Sequence, residues 1–133
     1  MHYTTERQVR YNGEMVDLLS KRCVPCEGNT TPLKAEEIAG YQEQIPSWEV
    51  RNQHELYRKF KSKNFAEALA FVNKVGALAE SEGHHPDITF GWGYVEITTF
   101  THAVDGLSEN DFILATKIDS LSSPSSPFFS SPA

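Results

Sequence analysis

Three of the chain's five histidines fall between positions 84 and 102. His84 and His85 are adjacent and directly precede Pro86; the third is His102. Histidine ordinarily titrates near neutral pH, so two imidazoles in one pocket can divide a proton transfer, one giving a proton to a leaving group while the other accepts one. Pro86 biases His85 towards extended backbone, where successive side chains project in opposite directions. His84 and His85 are therefore expected to have different tasks, with one of them facing a given small substrate. A metal site is the rival chemistry. Neighbouring histidines on extended backbone seldom reach one ion, and no carboxylate or cysteine is spaced as a clear third ligand. A lone histidine is more often a hydrogen-bonded structural residue; clustering of three reverses that preference.

The two cysteines stand in the run Cys23-Val-Pro-Cys26. Such a pair fits a redox site or half of a zinc site, but a structural zinc takes four ligands and no second pair exists. Two reduced thiols in an N-terminal turn are the simpler reading.

A chain of 133 residues with 39% hydrophobic and 23% charged residues fits one globular domain. The net charge of -6 argues against sequence-independent contact with nucleic-acid phosphates. No run approaches the roughly 18 apolar residues of a membrane span. No targeting signal is readable at the N-terminus, so a cytoplasmic protein is expected.

Residues 1–31 read as an extension, with a short helix around Gly13–Lys21. The compact domain is expected over 32–121, opening with Thr31-Pro32 as N-cap and first helical residue. A short amphipathic helix over Lys34–Gln44 is stopped by Pro46. Two strands, Ser47–Asn52 and Leu56–Lys63, form a hairpin, with Leu56, Arg58 and Phe60 on one face. The clearest element is a helix from Phe65 to Glu82, N-capped by Asn64 with Glu67 three residues on. Phe65, Leu69, Val72, Val75, Gly76 and Ala79 mark its core face, and Gly76 implies close packing against another element. Gly83 supplies the left-handed residue that ends it.

Strands over Asp87–Trp92 and Tyr94–Thr101 follow, the second rich in β-branched residues. Their antiparallel pairing would return His102 to the Gly83–Pro86 end. Ser108 and Asp111 have capping-box spacing, and Leu107 and Phe112 staple spacing, for a last helix reaching Leu121. Residues 122–133, dominated by serine and proline, are expected to be disordered. The order α-ββ-α-ββ-α predicts an α+β fold: two layers, a four-stranded mostly antiparallel sheet with helices on one face.

The stretch Glu80-Ser-Glu-Gly-His-His-Pro-Asp87, then Trp92, Val95, Ile97, Thr101-His102 and Gly106-Leu-Ser-Glu-Asn-Asp111, resembles the pterin-4a-carbinolamine dehydratase family. Pro46-x-Trp48 and the Phe65–Ala79 helix extend the resemblance over about residues 32–121. The Cys23-Val-Pro-Cys26 leader, followed by Pro32-Leu33, is similar to that of bacterial and plant members. The resemblance implies a hydro-lyase that converts a 4a-hydroxytetrahydropterin to the quinonoid dihydropterin plus water, in tetrahydrobiopterin recycling, without metal or organic cofactor. It implies His84 and His102 as the acid/base pair and His85 as a residue that binds or orients the pterin. Glu80, Pro86, Asp111 and Trp48 correspond to substrate-binding positions, and a homodimer or homotetramer is implied. Each has a plainer rival: Asp111 as a helix cap, Glu80 as a solvated helix residue, Trp48 as core. Asp87 and Ile88 depart from residues common in the family, which bears on substrate side-chain preference. Relatives that bind a transcription factor or serve Rubisco assembly supply the alternative, a non-enzymatic dimerisation or assembly factor. Retention of all three histidines favours chemistry over scaffold.

Overall fold

The computed structural model describes residues 8–11, 14–25 and 31–121. Cys26 and the Ser/Pro-rich tail lie outside the described residues. Two short strands, β1 (Gln8–Tyr11) and β2 (Glu14–Asp17), pair antiparallel, and a 3-10 turn over Leu18–Ser20 follows. The helix expected around Gly13–Lys21 is thus replaced by a strand and a turn. Leu18, fully buried, inserts into the core of the domain.

Helix α1 spans Ala35–Gln42, three residues later than the Thr31-Pro32 start. Its first turn is closed by Glu37, whose Oε1 accepts the Lys34 N–H at 2.8 Å. Strands β3 (Glu49–Arg51) and β4 (Glu55–Lys61) form the expected hairpin, β5 (Asp87–Gly91) and β6 (Tyr94–Thr99) a second. The sheet order is β3-β4-β6-β5, antiparallel at each pairing. Helix α2 covers Phe65–Glu82 and α3 Glu109–Asp119, giving the α+β architecture.

One face of the sheet is buried: Leu56 and Phe60 of β4, with Val95, Ile97 and Thr99 of β6, alternate into the core as period-two geometry requires. Helix α2 buries Ala68, Phe71, Val75 and Ala79. That stripe is rotated from the expected one; Phe65 and Leu69 are 47% and 41% exposed, and Phe65 instead packs its ring on Phe90 at 5.5 Å. Gly76 does not mark close packing, since a Cβ there would meet nothing within 4 Å.

Trp48, one of the expected substrate-binding positions, lies in the core. It is 1% exposed, its ring meets Phe60 edge-on at 6.4 Å, and its Nε1–H donates to Asp119 Oδ1 at 2.8 Å. Arg58 Nη1 donates to the same oxygen at 2.6 Å, so Asp119 ties the hairpin to the end of α3. A tryptophan buried with its one donor satisfied is core, and Trp48 does not line the pocket that the histidines line. Among the described residues no helix is long and apolar enough to cross a membrane.

Candidate active site

Asn64 caps α2 by accepting the Glu67 N–H at 2.8 Å, and Gly83 ends it in the left-handed region at φ 68°. The His84 N–H then reaches back to the Ala79 carbonyl at 3.2 Å, closing the helix end. This geometry delivers His84 and His85 to the start of β5. Asp87 at that start pairs with Thr98 near the end of β6, so the chain leaving β6 returns to the same edge. A bridge between Thr101 and Gly106 then holds a single 3-10 turn, His102–Val104.

The result is a pocket of about 400 Å³ lined by His84, His85, Pro86 and His102, with Phe100 and Asn110 among its other walls. Its size lies within the range of small-molecule sites. Four of the seven expected site residues therefore share one cavity.

His84 and His85 both line the pocket, but their rings take different partners. The His84 side chain is 11% exposed and its Nε2 lies 2.7 Å from Asp111 Oδ1. His85 is 60% exposed, and its Nε2 meets Oε2 of the exposed Glu80 at 2.7 Å. Glu80 is thus a surface partner of His85 and does not itself line the pocket. A solvent-exposed pair of this kind adds little to stability.

Asp111 is fully buried. Thr99 Oγ1 donates to its Oδ1 at 2.7 Å, Thr101 Oγ1 to its Oδ2 at 2.7 Å, and the Ser108 N–H to Oδ2 at 3.0 Å. With His84 this makes four donors, the full complement of a carboxylate's lone pairs, which compensates for burying the charge. Asp111 acts as helix cap and as partner of His84 together, and it is not among the residues lining the pocket. The proton order of the network follows from the chemistry. Because Thr101 spends its proton on Asp111, it accepts from Ser108 Oγ–H at 2.7 Å, and Ser108 Oγ in turn accepts the Asn110 N–H at 3.2 Å. The carboxylate can only accept, so His84 Nε2 carries a proton and the neutral ring's lone pair lies on Nδ1.

Sequence reasoning passed over Phe100 and His54. The Phe100 ring lies 4.3 Å from His102 and 4.7 Å from His54, and His54 Nε2 meets Asp105 Oδ1 at 3.0 Å. Phe100 stands next to the Thr101-His102 pair, a visible signal; His54, in the β3–β4 turn, offered none. Thr99 and Thr101 were also readable, since inward threonines on a strand need a buried acceptor.

Cys23 is partly buried beside Glu82. Its thiol is pushed up to about 12, by burial first and then by the Glu82 charge. A thiol that stays protonated is a poor nucleophile and metal ligand, which counts against the redox reading. Burial alone would raise Glu82, but the Lys117 ammonium at 2.6 Å, the Cys23 N–H and Arg22 outweigh it and hold the carboxyl below its usual range. Among the described residues no group of three or more His, Cys, Asp or Glu side chains is placed to hold a metal ion.

The profile of the family Pterin 4 alpha carbinolamine dehydratase matches residues 31–121. A Rubrobacter xylanophilus protein provisionally named pterin-4-alpha-carbinolamine dehydratase is 56% identical over 107 residues, covering 80% of this chain and all of the relative. An Alkaliphilus metalliredigens protein of the same provisional name is 53% identical, over 79% of this chain and 96% of its own. Among solved structures, the transcriptional coactivator/pterin dehydratase of Brucella melitensis superposes with TM-score 0.63 at 26% identity, covering 68% of this chain and 97% of that one.

Proposed function

This chain belongs to the pterin 4 alpha carbinolamine dehydratase family, and from that premise we propose that it dehydrates a 4a-hydroxytetrahydropterin to the quinonoid dihydropterin and water by histidine acid/base catalysis, in cytoplasmic tetrahydrobiopterin recycling. The observation that carries the reading is that His84, just before β5, and His102, just after β6, line one pocket of about 400 Å³ at the open end of the hairpin.

In the step itself the C4a–O bond breaks and the oxygen leaves as water, taking a proton from a protonated imidazole. A ring N–H gives its proton to the other, neutral imidazole, and the pair from that N–H bond becomes the new C=N. One proton enters the substrate and one leaves it, so the two histidines exchange roles and no net proton is consumed. His84, held through Nε2 by Asp111, presents Nδ1 for this exchange. Positioning two such groups around one carbon supplies rate through orientation as well as proton transfer. His85 and Pro86, on the same wall, bind and orient the pterin. The proposal includes a homodimer or homotetramer, which the exposed Phe65 and Leu69 on α2 support; sedimentation velocity reads this directly.

The test is stopped-flow absorbance of 4a-hydroxytetrahydropterin dehydration. Wild type is expected to accelerate the reaction over buffer, and His84→Ala and His102→Ala each to lose on the order of a hundredfold or more. Absence of acceleration by wild type would contradict the enzymatic reading and favour an assembly role. Unchanged rates in both variants would remove the histidines from the mechanism.

A further inference from the structure

The pocket is not closed by the β5–β6 hairpin and α3 alone. Val24 and Pro25 also line it, although they precede the segment matched by the family profile. This stretch carries no regular secondary structure, yet it is anchored at each residue from Lys21 to Val24, by side chains at Lys21 and Arg22 and by backbone at Cys23 and Val24. Lys21 Nζ meets the Glu109 carboxylate at 3.0 Å, and Arg22 Nη2 donates to the Ser81 carbonyl at 3.1 Å. The Cys23 N–H donates to Glu82 Oε1 at 2.9 Å. The Val24 N–H then donates to Asn110 Oδ1 at 3.0 Å, and Asn110 Nδ2–H donates back to the Val24 carbonyl. A carboxamide that satisfies both the N–H and the C=O of one residue acts as a neighbouring strand would. Asn110 is 6% exposed, so this clamp is sheltered from water.

These anchors sit on the last turn of α2 and the first turn of α3, the elements that deliver His84 and Asp111. The leader is therefore held in register with the catalytic machinery. Its placement leaves one apolar side chain in an unusual position: Val24 is 62% exposed while its own backbone is pinned. Many of the other walls are polar or ionisable: His84, His85, Asp87, Thr101, His102 and Asn110. A flat heteroaromatic ligand needs hydrogen-bonding groups at its edges and apolar surface at its faces. Val24 and Pro25 supply such surface from outside the histidine-bearing hairpin.

We infer that Val24 and Pro25 form a substrate-binding wall contributed by the leader, with Asn110 as the residue that positions it. The inference rests on a pterin being the ligand of this pocket. It makes residues 21–25 part of the binding site, so affinity for the pterin depends on a segment beyond the family's core domain.

The full-length chain tests this with Val24→Asp and Asn110→Ala. Two readouts are used: fluorescence titration with a stable dihydropterin, and steady-state dehydration. The exposed position of Val24 keeps its variant folded, and thermal unfolding checks the Asn110 variant. Val24→Asp is expected to raise Kd and KM about tenfold while kcat moves less than about twofold, because the wall binds and does not react. Asn110→Ala should raise Kd in the same direction. Wild-type Kd in Val24→Asp would overturn the inference. If wild type binds the dihydropterin without dehydrating substrate, the reaction assignment falls while a raised Kd in the variants still upholds the wall. If wild type binds no pterin, both fall.

Discussion

The two histidines that share the pocket are held in opposite ways. His84 is wired: nearly buried, it joins a fully buried carboxylate that collects three further donors from β6, the Thr101 turn and the start of α3. His102 is stacked: exposed on a 3-10 turn, it rests against Phe100, which rests against His54. The wired side fixes a tautomer and a direction through charge-assisted hydrogen bonds, which in a buried setting are strong and costly to break. The stacked side fixes a ring plane through aromatic contact worth about 1 kcal/mol and leaves the ring exposed. On the proposed mechanism, the site would combine a rigid proton-transfer group with one that re-equilibrates with solvent between turnovers.

The sharpest way to break this contrast is at Asp111. Asp111→Asn turns one acceptor oxygen into a donor aimed at groups that are themselves donors. It should destabilise the fold by about 3 kcal/mol, since a buried charge-assisted network is left unmatched. Dehydration should fall on the order of a hundredfold or more, because His84 loses its fixed tautomer. Thermal unfolding and stopped-flow kinetics on the same sample separate the two effects.

Acid stability probes the network neighbouring the wired side. Glu82 is held below its ordinary range, so its contribution to stability is complete above the usual glutamate value of about 4.3 and is lost as pH falls through the depressed one. Urea unfolding from pH 6 down to pH 3 should show that loss, and Glu82→Gln, about 2 kcal/mol less stable at neutral pH, should flatten the acid limb. A Glu82→Gln curve parallel to wild type would remove Glu82 from the account.

On the stacked side, Phe100→Ala should lower kcat about tenfold by freeing the His102 ring, while stability changes by only about 1 kcal/mol. Phe100→Tyr, which keeps the stack, should restore most of the rate. The smallest effect belongs to the exposed His85–Glu80 pair: Glu80→Gln should leave the unfolding temperature within about 1 °C of wild type.

Sequence made the wired side legible for local reasons. Gly83 announces a helix end, Ser108 and Asp111 a helix start, and a β-branched run with two glycines a hairpin; antiparallel pairing then forces His102 back beside His84. The stacked side was only half legible, because His54 reaches Phe100 from across the sheet and local periodicity carries no record of that contact. Trp48 entered the core on the strength of Asp119, seventy-one positions away. The leader was read as an extension for the same reason: its clamp, Asn110, lies eighty-six positions on from Val24. Helix α2 was found, but its stripe was misassigned because Phe71, in phase with Val75, was left out while Phe65 and Leu69 were included.

The central claim is that the wired and the stacked histidine complete one proton exchange, and a double-mutant cycle tests it most directly. Dehydration rates are measured for wild type, His84→Ala, His102→Ala and the double variant. Groups acting as a unit are strongly non-additive, so the double variant should be within about threefold of the slower single one. Losses that multiply across the cycle, or single variants as fast as wild type, would contradict the shared exchange.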